Sequence, residues 1–168
     1  MSKLLGVALV ASLIAIAGPG AVAKAPAKKA LPKKETIIDR PPPEAAPMTA
    51  FVEAWEDSNP EALSQLFEPE GKLIVPAGTE VGGRDTIRAY YAVAFQSGYF
   101  GSKAGARVVR VTKVDNSLAL LEGVMSIRGA KLPDGAMRRP ETRRFSALVR
   151  GKPNAYRLVA LSETPLTQ

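Results

Sequence analysis

The sequence predicts an α+β domain in which helices pack across one curved, mainly antiparallel sheet. Two patterns carry that expectation. The stretch from Gly82 to Ser97, GGRDTIRAYYAVAFQS, sets Ile87, Tyr90, Tyr91, Ala94 and Phe95 at three-and-four spacing, with Asp85, Arg88 and Gln96 opposite, which is the pattern of an amphipathic helix. From about Ala104 to Glu163 the chain alternates apolar and polar residues in strand fashion. Laying such a helix over such a sheet buries both apolar faces in one core.

The chain has 168 residues, enough for one domain with a single core once its leader is set aside. That leader, residues 1–23, reads as a signal peptide. Lys3 supplies the positive end, Leu4 to Ala17 is an unbroken apolar run, and Ala21-Val22-Ala23 offers small residues for cleavage after Ala23. The run is shorter than the roughly 20 residues that span a bilayer, and Gly18-Pro19-Gly20 breaks it. A periplasmic or secreted protein is therefore expected.

Residues 24–47 are rich in Lys, Pro and Ala, with Ile37 and Ile38 as the one apolar pair. Such a composition cannot bury a core and predicts a disordered tether. Nearly half of the net charge of +7 lies there, because Lys24, Lys28, Lys29, Lys33, Lys34 and Arg40 outweigh Glu35, Asp39 and Glu44. The tether reads as a solvated spacer, with weak contact of its lysines with an anionic surface, such as a membrane leaflet or cell-wall polymer, as the alternative. The folded part, 48–168, is only mildly basic, and no nucleic-acid partner is expected.

The domain opens with a short helix that turns Phe51, Val52 and Trp55 one way and Glu53, Glu56 and Asp57 the other. Ser58-Asn59-Pro60-Glu61 stops it and starts a second helix, with Asn59 as cap, Pro60 in the first turn, and Leu63, Leu66 and Phe67 inward. Pro69 and Gly71 are expected to end that helix, Lys72 to Val75 to form a short strand, and Gly83 to cap the central helix.

Four strands follow, approximately 106–114, 118–128, 141–151 and 155–162. Asp115-Asn116-Ser117, Pro133-Asp134-Gly135 and Lys152-Pro153-Asn154 join them, so consecutive strands should be antiparallel neighbours. Alternation assigns to the inner face Val109 and Val111; Leu121, Gly123, Met125 and Ile127; Phe145, Ala147 and Val149; and Tyr156, Leu158 and Ala160. Val108, Leu120, Val124 and Leu148 then join Arg110, Glu122 and Arg144 on the outer face, which suits a homodimer interface.

FVEAWEDSNPEALSQLF at 51–67, GKLIVP at 71–76 and VGGRDTIRAYY at 81–91, followed by a four-stranded meander, resemble the NTF2-like superfamily and in particular its SnoaL-like domain proteins. The resemblance covers roughly Thr49 to Glu163. It implies a cystatin-like cone whose helices and curled sheet enclose an apolar pocket, used by different members for isomerisation, dehydration, cyclisation, ligand binding or association.

The catalytic residues that this resemblance would carry do not match. Ketosteroid isomerases of this fold place an Asp base before a proline on the first strand, where Val75 stands here. Their first-helix tyrosine falls on Phe51, and their late-strand acid falls among Arg143 to Ala147, where there is no carboxylate. The chain has no His and no Cys, which removes the usual proton carrier, thiol chemistry, disulfides and the usual zinc ligands.

No catalytic residue, metal ligand or cofactor site is assigned. The expected pocket lining is Phe51, Trp55, Val75, Tyr90, Tyr91 and Phe95, an aromatic set for a small apolar ligand. Arg138, Arg139, Arg143 and Arg144 read as a solvated basic turn, and Arg110, Glu122 and Arg144 as a cross-strand charge ladder. An exported ligand-binding or dimeric association module is the reading, with a SnoaL-like isomerase, cyclase or dehydratase working without histidine as the alternative.

Overall fold

The structure, a computed structural model, describes residues 41–166. The expected signal peptide, its cleavage site and the tether up to residue 40 lie outside the described residues. Residues 41–47, assigned above to the tether, belong to the packed domain. A 3-10 turn at Pro43–Ala45 runs into helix α1 (Ala46–Glu56), and Glu44, Ala45, Pro47 and Met48 are buried. The prolines there serve as helix starters, for which their fixed φ is suited. Lys113 reaches Glu44 at 3.0 Å and ties this turn to the sheet.

Helix α2 (Pro60–Gln65) starts as expected, with the Asn59 side chain accepting a hydrogen bond from the Ala62 N–H at 3.0 Å. Its end differs from expectation. Strand β1 (Phe67–Ile74) begins immediately and runs through Pro69 and Gly71, so these residues punctuate a strand. A register irregularity between Phe67 and Lys72 absorbs them, and the missing proline donor falls where the β1 ladder is interrupted. A short β2 (Glu80–Gly82) pairs back on β1 before α3 (Arg84–Ala94), whose N-cap is Gly83 at φ 80°. The central helix therefore stops at Ala94, three residues before the sequence pattern ends, and a π-type turn carries Phe95–Tyr99 onward.

Strands β3 (Lys103–Lys113), β4 (Leu118–Arg128), β5 (Glu141–Arg150) and β6 (Arg157–Pro165) form the expected antiparallel meander. The six-stranded sheet has the order β2-β1-β6-β5-β4-β3, with β1 parallel to β6. Helices α1, α2 and α3 cover its concave face, giving an unclosed α+β cone. Gly123 permits a close approach: a Cβ there would meet the Arg107 carbonyl oxygen and the Phe145 ring, so only a residue without one lets the ring lie on β4.

Two bulges change which side chains enter the cone. One extra residue near Val109 shifts the β3 register, so Val108 pairs with Gly123 and turns inward, while Val109 turns outward; the sequence pattern has these two exchanged. A second shift in β6 pairs Leu158 with Val149 but Ala160 with Leu148. Ala160 is thereby on the outer face, and Leu161 and Glu163 point inward.

Candidate functional site

Strand and helix positions bring the expected pocket residues together. Phe51 and Trp55 lie one turn apart on α1, Tyr90, Tyr91 and Phe95 come from α3 and its extension, and Val75 follows β1. Five of the six are buried, and Tyr90 is half-buried against the same core. Trp55 is the hub of the aromatic set. Its ring lies 6.0 Å from Phe51, 6.1 Å from Tyr91, 5.3 Å from Phe95 and 5.6 Å from Tyr99, mostly edge to face. Its indole N–H donates to the buried Ser102 hydroxyl at 2.9 Å. These rings fill one another's space, so the wall is a packed aromatic layer.

At the end of that layer stands a charged network that the sequence pattern did not reveal. Arg143, read from sequence as part of a solvated turn, is buried because it lies on the inward face of β5 with Phe145 and Ala147. Its guanidinium donates to Glu163 Oε2 at 2.6 Å, to Glu141 Oε2 at 2.6 Å and to the Tyr99 hydroxyl at 3.1 Å. Tyr99 in turn donates to Glu141 Oε1 at 2.7 Å, and Arg138 lies 4.6 Å over its ring. Apolar lining was expected throughout; Glu163 is an acid inside the cone, delivered by β6 directly opposite Phe145.

Two polar atoms in this region are buried without a hydrogen-bond partner among the described residues: the Tyr91 hydroxyl and Glu163 Oε1. They are electrostatic neighbours. Burial first, and then the Glu163 charge, push the Tyr91 hydroxyl well above its ordinary value. Burial likewise raises the Glu163 carboxyl, against the pull of Arg143, and the Glu141 charge adds to the rise. At Glu141 burial also works upward, but hydrogen bonds from Arg143 and Tyr99 outweigh it and hold that carboxyl low. Burial pushes the Tyr99 phenol up to about 12, helped by its bond to Glu141. One of two carboxylates sharing an arginine is thus biased toward holding a proton. Such a pair can accept a hydrogen bond at Glu163, donate one from Tyr91, or move a proton.

Among the described residues no group of three or more acidic side chains is placed to hold a metal ion. On the outer face the expected ladder forms in part: Arg110 contacts Glu122 at 3.2 Å, while Arg144 takes no share in it.

A family model described as SnoaL-like domain matches residues 48–151. No curated protein sequence matches the chain significantly. Among solved structures, an uncharacterised protein with a cystatin-like fold from Caulobacter vibrioides superposes with a TM-score of 0.63 at 20% identity, covering 73% of this chain and 86% of that one. A ketosteroid isomerase-like protein from Erwinia carotovora atroseptica gives 0.62 at 14% identity over 73% and 93%. An NTF2-like superfamily protein from Salmonella enterica serovar Typhimurium gives 0.61 at 17% over 74% and 89%. At these identities the likeness is one of fold.

Proposed function

The chain belongs to the SnoaL-like domain family, and from that premise we propose that it is an exported binding protein for a small, mainly apolar molecule carrying one hydroxyl group. The observation that carries this reading is the Tyr91 hydroxyl and its electrostatic neighbour Glu163, whose Oε1, like that hydroxyl, is buried without a hydrogen-bond partner among the described residues. Leaving a buried polar group without a partner costs roughly 1 to 3 kcal/mol. A ligand hydroxyl relieves both at once, accepting from Tyr91 and donating to Glu163. The aromatic layer of Phe51, Trp55 and Phe95 would hold the rest of the ligand, whose entry requires those rings to part. Export is supported by Lys3, the run from Leu4 to Ala17 and the small residues Ala21 to Ala23.

The test uses the single tryptophan of the chain, Trp55, as its reporter. Phenol should quench or shift its fluorescence saturably, and toluene, of similar shape without the hydroxyl, should bind about tenfold more weakly. Tyr91→Phe and Glu163→Gln should erase that preference. Equal binding of phenol and toluene to the wild type would overturn the reading.

One observation favours a second reading, an isomerase-type enzyme working without histidine. Burial raises the Glu163 carboxyl, so it is suited to carry a proton, and Tyr91 is suited to donate to a developing oxyanion. The structural likeness to a ketosteroid isomerase-like protein is compatible with it. Deuterium exchange at the carbon next to the carbonyl of a cyclic ketone, lost in Glu163→Gln, would distinguish enzyme from binder.

A further inference from the structure

Away from the cone, the convex sheet face holds a groove of about 340 Å³ lined by Arg107, Val109, Arg110, Glu122, Val124 and Arg144. A second hollow along Gly105, Ala106 and Ser126 adjoins it through Arg107 and Val124. The register explains the arrangement. Arg107 of β3 and Arg144 of β5 are both paired opposite Val124 of β4, so the three side chains stand in one row on one face. The two arginines are about 9.5 Å apart at their backbones, two strand spacings, and both can lean over the valine.

Their charges are not used elsewhere. Glu122 is engaged by Arg110 at 3.2 Å, and neither Arg107 nor Arg144 makes an ion pair or side-chain hydrogen bond among the described residues. We propose that this groove is a binding site for a small oxyanion, a phosphate or carboxylate group clamped between Arg107 and Arg144 over Val124. Planar guanidiniums suit such groups, because each offers two parallel donors. The competing occupant is a second copy of the chain. A two-fold pairing centred on this row would bring four unneutralised guanidiniums together with no free acid to meet them, which disfavours it.

The test is an amide NMR titration of the purified protein with inorganic phosphate and, separately, acetate, at ionic strength held constant with sodium chloride. Saturable shifts centred on Arg107, Val124 and Arg144 are expected, and whichever anion binds more tightly identifies the group. Arg107→Gln and Arg144→Gln should each weaken binding roughly tenfold. Glu122→Gln should tighten it severalfold by releasing Arg110. Arg150→Gln, which removes the same charge from a residue paired with Glu68, should leave it unchanged. Shifts that never saturate, or that Arg107→Gln and Arg144→Gln do not affect, would overturn the proposal. So would the same amides shifting on protein concentration alone, which would assign the face to a second copy.

Discussion

Glu163 stands directly opposite Phe145 across the β5–β6 ladder, and both side chains enter the cone from that pair. Arg143, two residues before Phe145 on the same face, then meets Glu163 at 2.6 Å. A carboxylate thus reaches the interior from the neighbouring strand, although the stretch from Arg143 to Ala147 contains none.

Removing Arg143 should be severely destabilising. It would leave Glu163 buried without its cation and Glu141 with one donor fewer, and breaking a buried pair from one side costs roughly 3 to 5 kcal/mol. Urea denaturation of Arg143→Met should show this loss, with part of it recovered in Arg143→Met/Glu163→Leu. A loss below about 1 kcal/mol would mean that solvent reaches the pair.

Stability should depend on pH through Glu163 in a defined direction. Its carboxyl is raised in the folded state above the ordinary 4.5, so the folded chain binds the proton more tightly than the unfolded one. That contribution is fully present below pH 4.5 and is lost as pH rises through the folded value. The stability of wild type relative to Glu163→Gln should therefore fall as pH rises above 4.5, as read by thermal unfolding at each pH. The opposite slope would mean that Arg143 dominates burial at this site.

How much of this was legible in the sequence depended on which regularities the chain keeps. The strand spans from Leu118 to Arg128 and from Glu141 onward, the caps at Asn59 and Gly83, and the coming together of Trp55 with Tyr91 followed from simple periodicity. Bulges have no periodic signature. The extra residues near Val109 and Val159 each reverse the inside-outside assignment beyond them, which exchanged Val108 with Val109 and hid Glu163 behind Ala160. Pro69 and Gly71 misled for a different reason: residues that stop helices also sit at interrupted strand ladders. Arg143 was assigned to solvent because it stands with Arg138, Arg139 and Arg144 in one basic cluster around a hairpin, and only tertiary placement separates it from those at least partly exposed neighbours.

Ser102 should matter through the tryptophan. It is fully buried and accepts the Trp55 N–H at 2.9 Å, so Ser102→Ala leaves that donor unpaired and should cost about 1 to 3 kcal/mol. The double variant Ser102→Ala/Trp55→Phe should show the two effects to be non-additive in thermal unfolding.

Gly123→Ala should destabilise by about 1 to 3 kcal/mol, since the new methyl meets the Arg107 carbonyl and the Phe145 ring. Gly105→Ala, whose methyl would meet only the Ser126 hydroxyl at 3.2 Å, should cost less. Equal unfolding midpoints for the two would contradict the packing described for the inner face of β4.

The mature protein should begin at Lys24, as the small residues from Ala21 to Ala23 imply. Mass spectrometry of protein recovered from its source cells checks this, and an intact Met1 in a membrane fraction would replace export by anchoring.

The central claim, that Glu163 and Tyr91 together receive a ligand hydroxyl, is tested most directly by the titration of the Glu163 carboxyl. Carbon-13 NMR of glutamate-labelled protein, assigned with Glu163→Gln, should find it above 4.5 in the free protein. Saturating phenol should lower it, because a hydroxyl donating to Oε1 favours the charged form, and the lowering should shrink in Tyr91→Phe. A Glu163 carboxyl whose titration is the same with and without phenol, while phenol still perturbs Trp55, would place the ligand elsewhere and contradict the account.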